Sequence, residues 1–128
     1  MTSTQGNTAI EVRAVAQFIE EQSHIEADRY AFAYRITLLN TGDVTAQLLG
    51  RHWIISDAQG HIQEVEGSGV VGQQPVLRPG ESFEYTSGCT IATPVGTMKG
   101  SYQFVNEDGR PFDVPIPEFT LAMPRILH

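Results

Sequence analysis

The chain has 128 residues, the length of one domain, and a domain of this size buries roughly two-thirds of the surface that its unfolded chain exposes. Eight Lys and Arg residues against fifteen Asp and Glu give a net charge of −7, which argues against nucleic acid and anionic membrane surfaces as partners. A single cysteine excludes an internal disulfide, and no export signal or membrane-spanning apolar run is visible, so we expect a cytoplasmic protein.

The first part of the chain predicts strands. In residues 8–19 apolar side chains alternate with polar ones, the period of a half-buried strand, although a helix also fits part of this spacing. The β-branched residues favour the strand. In residues 30–38 the alternation is unbroken and puts bulky side chains on one face. The stretch LNTGD, residues 39–43, then predicts a hairpin into a further strand at 46–56.

Turn residues divide the middle of the chain into short segments. DAQG, residues 57–60, predicts a turn before HIQEVE, residues 61–66, which has the polarity of a strand at a sheet edge. The glycine stretch GSGVVG follows at 67–72. Beyond it, Pro79 and Gly80 suit the two central positions of a type II turn.

The last third predicts three more strands. Two of them, at 82–88 and 97–105, alternate aromatic residues with polar ones and precede an Asp-Gly hairpin turn. The strand beyond that turn, at 112–116, contains Pro115 and is followed by Pro117. Because proline has no N–H to give to a neighbouring strand, this strand is predicted to be an edge.

About seven strands separated by turns, without a convincing helix, predict an all-β chain. An antiparallel β-sandwich of the immunoglobulin-like kind is favoured, and a small barrel is the alternative. We expect one domain over residues 8–128. Residues 1–7 are predicted to be a flexible N-terminus, and the last residues, PRILH, to fray.

Three glycines raise the question of a nucleotide site. Gly67, Gly69 and Gly72 have the G-x-G-x-x-G spacing of dinucleotide-binding loops, which also need a buried strand before the loop and a helix after it. Here the preceding stretch HIQEVE is too polar for a buried strand, and the Pro-Gly pair that follows leaves too few residues for a helix. Residues 61–88 also contain four glutamates and only one Lys or Arg, so a phosphate would be repelled. We therefore interpret the glycines as residues that allow a positive φ, a β-bulge or the close approach of another strand. The alternative is that their backbone N–H groups bind an anion.

No catalytic or metal-binding constellation is visible. The four histidines are His24, His52, His61 and His128. They match no zinc or metalloprotease spacing, and His61 and Glu64 would point to opposite faces of a strand. Cys89 is expected to be a small buried or half-buried thiol, and Trp53 to belong to the core unless it is exposed to a partner. No metal ligand and no cofactor is predicted.

A set of separate landmarks extends over nearly the whole chain. The landmarks are His52, Trp53, the loop from Gly67 to Gln73, Pro75, Leu77, Pro79, Gly80, Phe83, Tyr85, Ser87, Gly88, Gly96, Met98, Gly100, Tyr102, Ile116, Pro117, Phe119 and Pro124. Taken together they closely resemble the ApaG family, which is also called CorD in bacteria, and no landmark of that family is missing.

This resemblance implies a fibronectin type III-like sandwich of a three-stranded and a four-stranded antiparallel sheet. It implies no catalytic residue. Related domains in eukaryotic F-box proteins and in a polymerase-delta-interacting protein imply a protein-binding role, and bacterial members are linked genetically to cobalt resistance and magnesium efflux. The family's glycine motif has been taken as a pyrophosphate site, which maps to Gly67, Gly69 and Gly72 in this chain.

Two functions of different classes follow. The first is a non-enzymatic module that binds a partner protein through a strand edge or the loops at one end of the sandwich. The alternative is a small-ligand module that binds nucleotide, pyrophosphate or diadenosine polyphosphate on the glycine loop. Direct binding of Co²⁺ or Mg²⁺ is a third hypothesis, for which the sequence predicts no metal-binding residues.

Overall fold

A computed structural model of the chain describes residues 6–124. Its strands are β1 (Ile10–Phe18), β2 (Tyr30–Asn40), β3 (Ala46–Asp57), β4 (Ile62–Ser68), β5 (Val76–Leu77), β6 (Ser82–Ile91), β7 (Val95–Asn106) and β8 (Pro111–Ala122). Within the described residues the helical elements are two single 3-10 turns, Glu20–Gln22 and Ile25–Ala27, between β1 and β2. The helical alternative for residues 8–19 is therefore wrong, since strand β1 exposes every second side chain.

The strands form two antiparallel sheets. One has the order β1-β2-β6, and the other has the order β4-β3-β7-β8, with the short β5 pairing with β3 beyond β4. Buried side chains of both sheets meet in a single core, for example Ile36 and Leu38 of β2 against Trp53 of β3 and Tyr102 of β7. The predicted all-β antiparallel sandwich is confirmed, and the barrel alternative is not adopted.

The core face of β2 is the one that its alternation predicts. Tyr30, Phe32, Tyr34, Ile36 and Leu38 are all buried, and the last two are fully inaccessible. Burying one such side chain stabilises a fold by about 1.5–3 kcal/mol. The unbroken apolar period therefore explains why one face of β2, which lies between β1 and β6, is buried in the core.

The predicted hairpin at 39–43 is wrong. Strand β2 pairs with β1 and β6, whereas β3 pairs with β4, β5 and β7, so the chain crosses from one sheet to the other here. Asn40 explains the crossing. Its buried amide donates at 2.9 Å to the carbonyls of Val44 and Leu77, and its Oδ1 accepts the Gly42 N–H at 2.9 Å. These bonds hold the turn against the second sheet, so β3 pairs there and does not form a hairpin with β2.

The other predicted turns are confirmed. Residues 57–60 join β3 to β4, and residues 107–110 join β7 to β8 as antiparallel neighbours. In the turn at 78–81 the Glu81 N–H donates to the Arg78 carbonyl at 2.9 Å, and a φ of +86° at the glycine makes it type II.

The edges of the larger sheet are β4 with β5 on one side and β8 on the other, as the polarity of HIQEVE and the two prolines predict. Strand β1 of the smaller sheet packs beside β8. At the opposite side of the sandwich, β4 and β6 flank an open cleft.

The chain ends lie partly outside the described residues. Residues 1–5 of the predicted flexible segment and 125–128 of the predicted frayed end belong to the part that is not described. Asn7 is described, and its carbonyl accepts the Asp43 N–H at 3.0 Å. In residues 6–124, no helix has the length and apolar character that crossing a bilayer requires.

Candidate functional site

The glycine loop connects two strands that lie along the same edge of β3. Strand β4 pairs with one part of β3 and β5 with the next, and the chain leaves that edge between them. The Gly69 N–H donates to the Leu49 carbonyl at 2.7 Å, at the point where β3 carries a bulge. Val70 and Gln73 then exchange two backbone hydrogen bonds, of 2.8 and 2.9 Å, across a two-residue turn.

Gly69 and Gly72 are explained by backbone conformation, and Gly67 by contact with a side chain. A Cβ at Gly67 would lie 2.6 Å from the Arg51 guanidinium, and one at Gly69, where φ is +63°, would lie 2.4 Å from the Gln73 carbonyl oxygen. Gly72 has a φ of +79° and follows Val71 at +43°, so these two residues form a type I′ turn. Binding of nucleotide or pyrophosphate by this loop stays a prediction, since these conformations serve the strand connection without a ligand.

The context of the loop differs from that of a dinucleotide site. Strand β4 before it is exposed along nearly its whole length, and β5, not a helix, follows it in the described part of the chain. The loop also has an apolar anchor, because Val70 is fully buried between the sheets while Val71 is exposed.

A cleft opens beside the loop, between β4 and β6. Two adjoining cavities of about 240 and 270 Å³ share the four residues Tyr34, Arg51, Trp53 and Ser87. At one end the cleft is spanned by Gln63 of β4, whose Nε2 donates to the Thr90 carbonyl of β6 at 3.0 Å. The cleft therefore reaches the interior of the sandwich from its open side.

Arg51 is the charged group of this cleft. Its Nη1 donates to the carbonyls of Gly69, at 2.9 Å, and Ser68, at 3.2 Å. Among residues 6–124 it makes no ion pair with a carboxylate. Arg51 is a residue whose role the sequence analysis missed, because only the pairing of β3 with β4 brings it opposite Gly67.

Three buried tyrosines surround Arg51. Burial raises the pKa of Tyr85 to about 12, although the Tyr102 hydroxyl 2.5 Å away opposes that rise. Burial also raises the pKa of Tyr102, and the neighbouring Tyr85 adds to the effect. Burial raises the pKa of Tyr34, against a hydrogen bond with Ser87. At neutral pH all three groups are protonated and can donate a hydrogen bond.

Cys89 also lines the cleft, half-buried as expected. Burial raises the pKa of its thiol to about 11, and its Sγ lies 3.8 Å from the Met98 sulfur. Since the thiolate is the nucleophilic form, this cysteine is unsuited to nucleophilic catalysis at neutral pH.

The outer face of β3 and β4 carries a cluster that the sequence analysis missed. The His52 Nε2 donates to Glu64 Oε1 at 2.7 Å and lies 3.6 Å from Glu66 Oε1, so three groups able to bind a metal ion approach one another. Both carboxylates are largely exposed. His61 instead contacts Asp57 at 3.2 Å, so it does not act together with Glu64.

Comparisons with known proteins agree with this fold. The family model described as the ApaG domain matches residues 20–106. The chain belongs to the ApaG domain family. This confirms the resemblance that its landmarks carry.

Close relatives share nearly the whole ApaG domain. Protein ApaG of Azoarcus sp. (strain BH72) is 62% identical over 119 residues, covering 93% of this chain and 94% of the relative. Protein ApaG of Thiobacillus denitrificans is 61% identical with the same coverage. A crystal structure of the ApaA protein from Bordetella pertussis superposes with a TM-score of 0.90, at 53% identity, over 93% of this chain and 97% of that one. None of these names states a reaction, a ligand or a partner.

Proposed function

We propose that this ApaG domain is a non-enzymatic protein-interaction module whose partner adds an extended segment to the exposed edge of β4. The observation that carries the proposal is the direction of the backbone groups of β4. The Asp57 N–H donates to the His61 carbonyl and the Gly69 N–H to the Leu49 carbonyl, so odd-numbered residues of this ladder bond to β3. The even-numbered residues direct their N–H and C=O groups away from it.

The outward groups of β4 form a row that can pair with another chain. They belong to Ile62, Glu64, Glu66 and Ser68, and β4 contains no proline that would interrupt the row. Such a row is a template for strand addition. Its side chains add an apolar contact, since Ile62 is 65% and Val65 is 37% exposed.

The charge of this edge selects among partners. Glu64 and Glu66 lie together on its outer face, and they are only partly balanced by His52 and by no lysine or arginine ion pair in residues 6–124. A partner segment with basic residues on that face is therefore favoured, whereas a second copy of the same acidic edge is repelled.

The chemistry of the described side chains supports a role without catalysis. The thiol of Cys89 is protonated, and His52 and His61 are engaged by neighbouring carboxylates at the surface. We place the interaction in the cytoplasm, where an unpaired cysteine is stable. We infer that the genetic link of bacterial members to cobalt resistance and magnesium efflux acts through the partner.

Affinity capture with matched edge variants tests the proposal. Glu64→Pro removes an outward N–H that β3 does not use, and Glu64→Ala removes the same carboxylate but keeps the N–H. We expect a reproducible partner that the proline variant loses and the alanine variant retains, with both variants unfolding near the wild-type midpoint. Capture by the folded proline variant at wild-type yield, or no reproducible partner at all, would contradict strand addition.

A further inference from the structure

We propose that the cleft between β4 and β6 binds a carboxylate side chain of the segment that adds to β4, with Arg51 as its receptor. This inference rests on the proposed function and names the chemistry of the partner. The occupant is an extended peptide segment with one Glu or Asp directed into the cleft.

The distribution of charge among the surface cavities supports an anionic occupant. No carboxylate lines either cavity of the cleft. Three other cavities in the described residues each have at least one: Asp108 in one, Glu66 and Asp113 in the second, and Glu107 in the third. In a chain of net charge −7, the cleft itself is thus lined by a cation and no acid. Arg51 also borders the second of the other cavities, but within residues 6–124 it makes no ion pair with Glu66 or Asp113.

The bonding of Arg51 leaves donors for a ligand. Both of its hydrogen bonds use Nη1, and the other two guanidinium nitrogens have no partner among residues 6–124. A guanidinium binds a carboxylate through two parallel N–H···O bonds. The half-buried position makes such a pair stronger than one at the surface.

Neighbouring hydroxyl groups fit the same ligand. The side chains of Tyr34 and Ser87 line both cavities of the cleft, and the burial that raises the pKa of Tyr34 keeps its hydroxyl protonated. These groups can donate to a carboxylate oxygen without adding charge. The cleft therefore offers one charged donor and, from the hydrogen-bonded pair of Tyr34 and Ser87, one neutral donor.

Strand geometry puts a partner side chain at this place. In β4, Val65 lies opposite Trp53 on the inner face. Gly67, opposite Arg51, has no side chain, and the Arg51 guanidinium lies where its Cβ would be, at the β4 edge of the cleft. A strand added outside β4 directs every second side chain toward that face. The alternate side chains face Glu64 and Glu66, so the expected partner segment has an acidic residue directly flanked by basic ones.

Selection from a library of displayed nine-residue peptides tests this inference. Each peptide is fused at both ends so that it has no free carboxyl terminus, and the bait is the full chain. We expect enrichment of Glu or Asp at one position with Lys or Arg beside it. In a synthetic form of a selected peptide, Glu→Gln should raise the Kd about tenfold or more, because a hydrogen bond to a charged group contributes roughly 1.5–3 kcal/mol.

Two variants and a matched control locate the carboxylate. Arg51→Met should cause the same loss as the peptide Glu→Gln change, and the two losses should not add. Arg110→Met, at an arginine outside the cleft without an ion pair in residues 6–124, should bind as the wild type does. Trp53, the single tryptophan, lines the cleft and reports its occupancy by fluorescence.

A second variant guards against misfolding, because Arg51 also holds the loop carbonyls. Val65→Glu adds a carboxylate from β4 itself, one position along the inner face from Arg51. We expect it to abolish the preference for acidic peptides while the thermal midpoint stays at or above the wild-type value. Unchanged preference in this variant would overturn Arg51 as the receptor.

The remaining outcomes separate the inference from the proposed function. Peptides that bind without an acidic position, and lose binding to Glu64→Pro, would support strand addition and overturn the carboxylate site. Acidic peptides that bind Glu64→Pro as well as wild type would overturn strand addition. Acetate or glutarate alone, if they shifted Trp53 emission and displaced the peptide at equal concentration, would overturn a peptide as the occupant.

Discussion

The two edges of the larger sheet are built in opposite ways. In β8 the Asn106 N–H donates to the Arg110 carbonyl, so through the first half of the strand the odd-numbered residues face outward. Two of those outward positions are Pro111 and Pro115, which have no N–H, and Pro117 follows at a bulge. In β4 every outward position keeps its N–H.

This difference shows two ways of controlling the same hazard. An unpaired edge invites pairing with any extended chain, and proline removes the donors that such pairing needs. Strand β4 keeps its donors and carries Glu64 and Glu66 instead, a pair that repels acidic edges and attracts basic ones. We infer that no extended segment can add to the edge of β8, and that only a segment with basic residues adds to the edge of β4.

The largest expected effect contrasts two neighbouring positions of β4. The Val65 N–H belongs to the ladder with β3, so Val65→Pro should lower the free energy of unfolding by about 4 kcal/mol. Glu64→Pro should lower it by less than about 1 kcal/mol, because its N–H faces solvent. Urea unfolding of both variants measures the difference. Equal losses would show that the outward row is assigned to the wrong residues.

Substitutions in the glycine loop between β4 and β5 should have the next largest effect on the free energy of unfolding. Gly69→Ala should lower the free energy of unfolding by about 3 kcal/mol, because a Cβ at φ +63° would also approach the Gln73 carbonyl at 2.4 Å. Gly72→Ala has a similar φ of +79° but open space around it, so the loss should be about 1 kcal/mol. The same unfolding experiment ranks the two, and a larger loss at Gly72 would contradict the turn assignment.

Titration of Tyr85, beside the cleft, should make the protein less stable at alkaline pH. Burial raises the pKa of Tyr85 from 10.0 to about 12, so the unfolded chain releases this proton at lower pH than the folded one. The resulting stability, about 2 kcal/mol, is fully present below pH 10 and is lost as the pH rises toward 12. Phenolate absorbance followed together with urea unfolding checks this. Ordinary titration near 10.0 by all four tyrosines of the chain would refute it.

The smallest effect on stability concerns the closed edge. Pro115→Ala returns one outward N–H to β8 and should lower the free energy of unfolding by no more than about 0.5 kcal/mol. Self-association in sedimentation velocity should nevertheless increase, with Glu64→Ala on the other edge as the matched comparison. An unchanged sedimentation profile would mean that the proline does not protect this edge.

Much of the fold follows from the local pattern of the sequence. The apolar alternation specifies strand β2, and the Asp-Gly pair specifies the turn before β8. The prolines in β8 specify that it is an edge strand. Turn residues do not specify which strands pair. The crossing at residues 39–43 depends on the buried amide of Asn40, whose partners lie 4 and 37 residues away.

The candidate site was harder to predict because it lies on paired strands. The turn at 57–60 fixes the register of β3 and β4, and that register alone places Arg51 opposite Gly67 and His52 opposite Glu66. Pairing the residues on either side of the predicted turn at 57–60, one by one, leads to both pairs. The cleft itself depends on how the two sheets pack, which has no local pattern in the sequence.

Photo-crosslinking in cells tests the open edge most directly. A photoreactive residue is placed at Ile62 on β4 or at Asp113 on β8, two exposed outward positions at opposite edges. We predict one discrete crosslinked partner at Ile62 that disappears with Glu64→Pro, and none at Asp113. Equal crosslinking at both edges, or a product at Ile62 that survives the proline in a folded protein, would contradict the account.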